Sequence, residues 1–104
     1  MDRIAMLGEI LSQNPDDAFA RYGLAVEFSN GGQLEPALAE FGKLLASHPD
    51  YVAGYFMAAQ ALAKAARIEE AKTMLAQGIG AAERARNPHA ASEMSAMLAE
   101  LEES

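Results

Sequence analysis

One proline-marked pattern occurs twice in this chain, and it limits what the chain can fold into. Asn14-Pro15-Asp16 returns as His48-Pro49-Asp50, with Pro49 lying 34 positions after Pro15. The same step carried along the interior puts Phe28 on Leu62, Leu34 on Ile68 and Phe41 on Leu75. It puts Ala25 on Ala59, Ala37 on Ala71, Gly32 on Ala66 and Glu35 on Glu69. Large apolar residues meet large apolar residues, and alanine meets alanine. A period of this length with two amphipathic segments per unit is the signature of a helical-hairpin repeat array.

Taken in order, the chain spaces its apolar residues for six helices. Ile4, Leu7 and Leu11, widened by Met6 and Ile10, predict a short amphipathic helix over 2–12 that Asn14-Pro15 ends. By the 34-residue step Leu7 takes the slot of Phe41, so this helix reads as the second helix of an incomplete leading repeat. Asp16 or Asp17 caps the next helix, expected over 17–30 and stopped by Gly31-Gly32. Its hairpin partner is expected over 34–47, with Pro36 in the first turn, where no backbone N–H is required. In the second unit Asp50 is expected to cap a helix over 51–65. Ala66-Arg67 makes the turn, and a longer helix runs from Ile68 to Arg86. Gly78 and Gly80 fall inside that helix, each costing about 1 kcal/mol against alanine; Gly78 is the position where a neighbouring helix can come close. Asn87-Pro88 starts a last helix whose stripe is Met94, Met97, Leu98 and Leu101. One apolar face and one acidic face suit a helix that caps a stack.

These residues carry a resemblance. The chain resembles the tetratricopeptide repeat (TPR) family, in the style of its small bacterial members, well over 16–77 and loosely at the flanks. Small residues match at Ala25, Ala37, Ala59 and Ala71. Large ones match at Leu24, Phe28, Leu34, Phe41, Leu62, Ile68 and Leu75, and the closing prolines match at Pro15 and Pro49. There are departures. The aromatic usually found early in the first helix is Arg21 in one unit and Tyr55 in the other, a usually small position is Leu44, and five extra residues precede Pro88. The resemblance implies an all-α fold, a right-handed superhelix of about six antiparallel helices. It implies one domain: a leading half-repeat at 2–13, repeats at 16–49 and 50–83, and a capping helix at 87–103.

A second stripe on the helix over 17–30 bears on function. Ala20, Leu24, Ala25 and Phe28 form its core side, while Phe19, Tyr22 and Val26 lie on another. A helix covered on one side needs only one apolar stripe. Ala53, Phe56, Gln60 and Ala63 occupy matching places in the sister helix. In the TPR family these positions line a concave, ligand-receiving face, so the resemblance implies Phe19, Tyr22, Val26, Phe56 and Gln60 as groove residues. The other reading has them packed beneath the first and last helices. Relatives that grip acidic C-termini use Lys and Asn on this face. Here Tyr22 and Val26 stand there, so an extended or helical peptide held by apolar contacts fits better. Arg21, Asn30 and Lys64 are either rim contacts or ordinary solvated residues.

Other chemistry is excluded or left thin. The absence of cysteine removes disulfides, thiol nucleophiles and cysteine-based zinc sites. His89 and Glu93 are spaced i, i+4, but two ligands without a third make no metal site. His48 reads as a helix C-terminal residue, and Asp16-Asp17 and Glu69-Glu70 meet helix N-termini favourably without catalysis. No set of acid, base and nucleophile assembles, and no cofactor is expected, so the chain is read as a non-enzyme. Net charge of −7 disfavours nucleic acid. Glu9 interrupts any signal-like apolar start, and the longest uncharged run, 51–63, is too short to span a bilayer, so a cytoplasmic protein away from membranes is expected. The expected function is a protein-interaction scaffold that holds a peptide or protein segment in an apolar groove. The alternative is a self-association module, and a homodimer is expected.

Overall fold

The 34-residue step becomes a helical hairpin because one residue at positive φ, Gly32 in the first unit and Ala66 in the second, breaks each unit between its two helices. The computed structural model describes residues 2–103, and among them there are six α-helices and no strand. They are α1 (Arg3–Gln13), α2 (Ala18–Asn30), α3 (Leu34–Ser47), α4 (Val52–Lys64), α5 (Ile68–Arg84) and α6 (Pro88–Glu103). The helices gather into two compact units, Met1–His48 and Pro49–Ser104. No helix among the described residues is long and apolar enough to cross a membrane.

In the first unit α2 packs on α1 and on α3. Asp2 caps α1 by accepting the Ala5 N–H at 2.7 Å, and Asp17 caps α2 by accepting the Ala20 N–H at 2.9 Å. Leu7 and Leu11 of α1 bury themselves against Ala20 and Leu24 of α2, with Ile4 and Phe28 at the margins. On the α3 side the residues are small where backbones approach. Ala25 and Ala37 are fully buried, and Phe41 and Leu44 are closed off from solvent beside them. A helix ends at Gly31, and Gly32 takes φ +75°, which turns the chain into α3. The Gln33 N–H then reaches back to the Phe28 carbonyl at 2.9 Å, satisfying an acceptor that the helix end leaves open.

The second unit solves the same problem with α5 packed on α4 and on α6. Ala58, Ala59, Ala71, Ala81 and Ala82 are fully buried, and Leu75 and Met94 fill the larger space. Gly78 is the tightest point. A Cβ built there would stand 2.6 Å from Met94 Sδ and 2.6 Å from Tyr55 Cβ, so α4, α5 and α6 converge on the missing side chain. The turn between α4 and α5 repeats the first-unit geometry without glycine. Ala66 has φ +64°, and the Arg67 N–H bonds the Leu62 carbonyl at 2.9 Å.

Two expectations from the sequence need correction here. Asp50 does not cap α4. Tyr51 holds the capping position without a side-chain bond, and Asp50 instead accepts from Arg84 Nε at 3.1 Å. The capping slot in the first unit is Asp17, whose counterpart is Tyr51; Asp50 corresponds to Asp16, one residue too early. The long helix ends at Arg84 rather than Arg86. Arg86 adopts φ +56°, and the Asn87 N–H bonds the Ala82 carbonyl at 2.8 Å. The polar turn was hidden because alanine and arginine carry no breaking signal in sequence.

These contacts predict opposite signs for two exchanges between glycine and alanine. Ala66→Gly relieves a left-handed alanine, worth about 1–2 kcal/mol, against an unfolded-state entropy cost of about 0.4–1 kcal/mol. The urea midpoint should rise by a net of roughly 0.5–1 kcal/mol. Gly78→Ala gains about 1 kcal/mol of helix propensity, yet overpacking should win and leave the protein about 1–3 kcal/mol less stable. A stabilised Gly78→Ala variant would mean that the three helices do not converge there.

Candidate functional site

The side chain at the start of each first helix has a job that its position in the repeat dictates. In α2 the Arg21 guanidinium donates to the Pro15 carbonyl at 2.9 Å and to Glu40 Oε1 on α3 at 2.6 Å. In α4 the residue 34 positions later, Tyr55, donates its hydroxyl to the Pro49 carbonyl at 2.7 Å. The closing proline's carbonyl is thus held from the same slot in both units. The reading of Arg21 as a rim or solvated residue is corrected. Its side chain and that of Glu40 are only 17% and 12% exposed, and Lys43 Nζ adds a further contact to Glu40 Oε2 at 3.2 Å. Asn30 and Lys64 are exposed, as solvated residues are.

With the clamp accounted for, the expected groove residues sort by helix. Phe19, Tyr22 and Val26 follow one another at helical spacing on α2, on a side away from Ala20, Leu24 and Ala25. Tyr22 and Val26 are half-buried, whereas Phe19 is 76% exposed. Phe19 lines an open depression of about 210 Å³ with Arg3, Leu7, Ile10, Asp17, Ala20 and Gly23. Its ring therefore stands at the seam of α1 and α2 and is not covered by the first helix. In the second unit Phe56 is half-buried on α4 and Gln60 is exposed. Each first helix thus keeps apolar surface on a second side, heavier in α2 than in α4.

Burial also acts on the Tyr22 phenol, whose pKa is raised from the ordinary value of 10.0 by desolvation. Both histidines are engaged locally. His48 ends α3 with Nε2 3.2 Å from the Asp16 carbonyl and 3.3 Å from its Oδ1. His89 Nε2 lies 3.3 Å from Glu93 Oε1 on an exposed face of α6. Among the described residues no three His, Cys, Asp or Glu side chains come together as a metal site would need. The residue that sequence reasoning undervalued was Arg21. The signal was present in the repeat itself, since Arg21 and Tyr55 share a slot and both can donate a hydrogen bond.

Comparison with known proteins agrees with this architecture. A tetratricopeptide repeat domain protein from Salinibacter ruber, solved in solution, is 31% identical over 86% of this chain and 90% of its own, with a TM-score of 0.79. Its crystal structure gives 31% identity, 83% and 97% coverage, and a TM-score of 0.75. The TPR2B domain of yeast Sti1, in its complex with pHsp70, superposes at a TM-score of 0.88 with 18% identity, covering 96% of this chain and 80% of that one. No family model matches the chain, and no curated protein matches it. The chain belongs to the tetratricopeptide repeat family, and its fold is the all-α helical repeat of that family.

The partly desolvated phenol has a measurable consequence. A raised pKa means that the folded state keeps the Tyr22 proton to higher pH than the unfolded state does. The contribution is therefore present in full below pH 10.0 and is lost as pH rises through the folded pKa. The difference in ultraviolet absorbance between the wild-type protein and Tyr22→Phe should show a phenol titrating above 10.0. A difference midpoint at or below that value would mean that the ring stands in water.

Proposed function

We propose that this protein is an interaction scaffold that binds a peptide segment of a partner protein through the apolar sides of its first helices. Tyr22 and Val26 on α2, with Phe19 beside them, supply contacts in one unit, and Phe56 and Gln60 on α4 supply them in the other. The observation that carries this reading is the second apolar stripe of α2. Tyr22 and Val26 lie off the side that packs with Ala20, Leu24 and Ala25 and remain accessible. Aromatic side chains that keep one face open supply much of the energy in peptide recognition.

Family membership supports the same reading, and so does the fold shared with the Sti1 domain that was solved in complex with pHsp70. The chemistry of the stripe selects among ligands. It offers aromatic and aliphatic carbon with an amide at Gln60 and no cation, so it suits an apolar segment over a carboxylate-terminated one. The cations of α2 and α3, Arg21 and Lys43, are engaged with Glu40.

Selection of binders from a displayed random-peptide library tests the proposal. The wild-type protein is expected to enrich peptides with apolar anchors. Tyr22→Ser/Phe56→Ser should keep its helical circular dichroism and bind the selected peptides at least tenfold more weakly, about 1.4 kcal/mol or more. Loss of helicity in that variant would place both rings in the core. Unchanged affinity would move the binding surface elsewhere.

A further inference from the structure

Gly23 is a glycine inside α2 that the packing of α1 on α2 does not require. A Cβ built there would stand 3.4 Å from Leu7 Cδ1 and 3.8 Å from Arg3 Nη2, both ordinary contacts. At Gly78 the same atom would collide with Met94 and Tyr55. Glycine is the poorest helix former after proline, and the same slot in α4 carries Met57, 34 positions on. Gly8 and Gly42 also stand inside helices without close neighbours, but they face open space, whereas Gly23 lines a depression. That depression, about 210 Å³ between α1 and α2, has Leu7, Ile10, Phe19 and Ala20 on its walls. An apolar cavity of about 150 Å³ takes a benzene ring. The space left open by Gly23 therefore fits one aromatic or large aliphatic side chain, and it is too small for a helix.

Charge gives the rest of the occupant. Arg3, Arg21 and Lys43 are the Lys and Arg residues of the first unit, and all three are spent. Arg3 lies 3.6 Å from Glu27, and Arg21 and Lys43 both reach Glu40. Two carboxylates at the depression have no such partner among the described residues. Asp17 lines it, and its Oδ1 accepts the Ala20 N–H while the side chain keeps its charge. Glu9 stands on the adjoining hollow with Met6 and Gln13, and Ile10 is shared between the two. A cation beside the apolar side chain is drawn to Asp17 and Glu9, and an anion there is repelled, the more so in a chain of net charge −7. We infer, on the peptide-binding reading above, that this depression is the anchor pocket for one bulky apolar side chain of the bound segment, with Lys or Arg flanking that side chain.

Titration with three capped peptides, followed on the methyl resonances of Leu7 and Ile10 by nuclear magnetic resonance, tests this. The probes are acetyl-Ala-Lys-Phe-Lys-Ala-amide, the same peptide with both lysines replaced by glutamate, and the same peptide with alanine for phenylalanine. The lysine peptide should move both residues' resonances saturably and bind about tenfold more tightly than the glutamate peptide. That difference should shrink in about 1 M salt, and the peptide without a ring should leave the resonances in place. Gly23→Met installs the side chain of the sister slot in the depression; it should keep its helical circular dichroism and lose the response. Asp17→Asn/Glu9→Gln keeps a capping side chain at position 17 and should bring the lysine and glutamate peptides to within about threefold of each other. No response to the lysine peptide overturns the pocket, as does equal binding of the lysine and glutamate peptides to the wild type or undiminished binding to Gly23→Met. The library selection above decides peptide binding separately. Enriched apolar peptides without Lys or Arg would sustain that reading and overturn the pocket's cationic segment.

Discussion

The carbonyl of the proline that closes each repeat is the point from which both hairpins are set. Proline ends the preceding helix and cannot donate a backbone hydrogen bond, but its carbonyl can accept one from the helix that follows. Arg21 supplies it to Pro15 and Tyr55 supplies it to Pro49. Each bond ties the turn to a residue six positions on, in the first turn or so of the next helix, so the helix starts at a defined rotation. Everything further along depends on that rotation. Ala20, Leu24 and Ala25 point inward only if α2 begins in phase, and Tyr22 and Val26 then fall on the other side.

Once rotation is set, side-chain size sets distance. Alanine at 25, 37, 59 and 71 removes the atoms that would hold the paired helices apart, and all four are sealed from solvent. At Gly78 even a methyl group is too much, because Tyr55 and Met94 close in from either side. The large residues fill what remains. Among the described residues Phe41, Leu44, Leu75 and Met94 are the largest fully buried side chains, and no polar or charged residue is buried with them. The ion pair of Arg21 with Glu40 lies at the edge of this packing, where the carbonyl bond and Lys43 share the cost of partial burial.

Much of this was legible in the sequence because punctuation and pattern agreed. Gly31-Gly32 and Pro49 bound α3 where the structure ends it, and the small and large slots recur after 34 residues. What escaped notice was chemistry that changes identity while keeping its role. Arginine and tyrosine look like a departure from the pattern, yet both reach a proline carbonyl. Asp50 looks like a cap, yet the capping slot is Tyr51 and Asp50 meets Arg84. The turn at Ala66-Arg67 was legible from the repeat step although no glycine marks it, and Ala66 takes the left-handed backbone there because the surrounding bonds enforce it. For the candidate binding faces the sequence identified a second stripe on α2. The position of Phe19 at the α1 seam is not legible in the sequence, because periodicity does not say which neighbour a side chain approaches.

A repeat slot has one physical task which different residues can perform, and Arg21 tests this most directly. Glu40 in the first unit corresponds to Met74 in the second. Arg21→Tyr alone leaves Glu40 without its guanidinium, and Glu40→Met alone leaves Arg21 without its carboxylate, each a loss of about 1–3 kcal/mol. The double variant installs the second unit's pair of residues in the first. In urea unfolding the double variant should be more stable than Arg21→Phe/Glu40→Met by about 0.5–1.5 kcal/mol, the net contribution of one hydrogen bond from the tyrosine hydroxyl to the Pro15 carbonyl. Equal stability of the two double variants would contradict this, because a tyrosine at position 21 would then be unable to take over the hold on the Pro15 carbonyl.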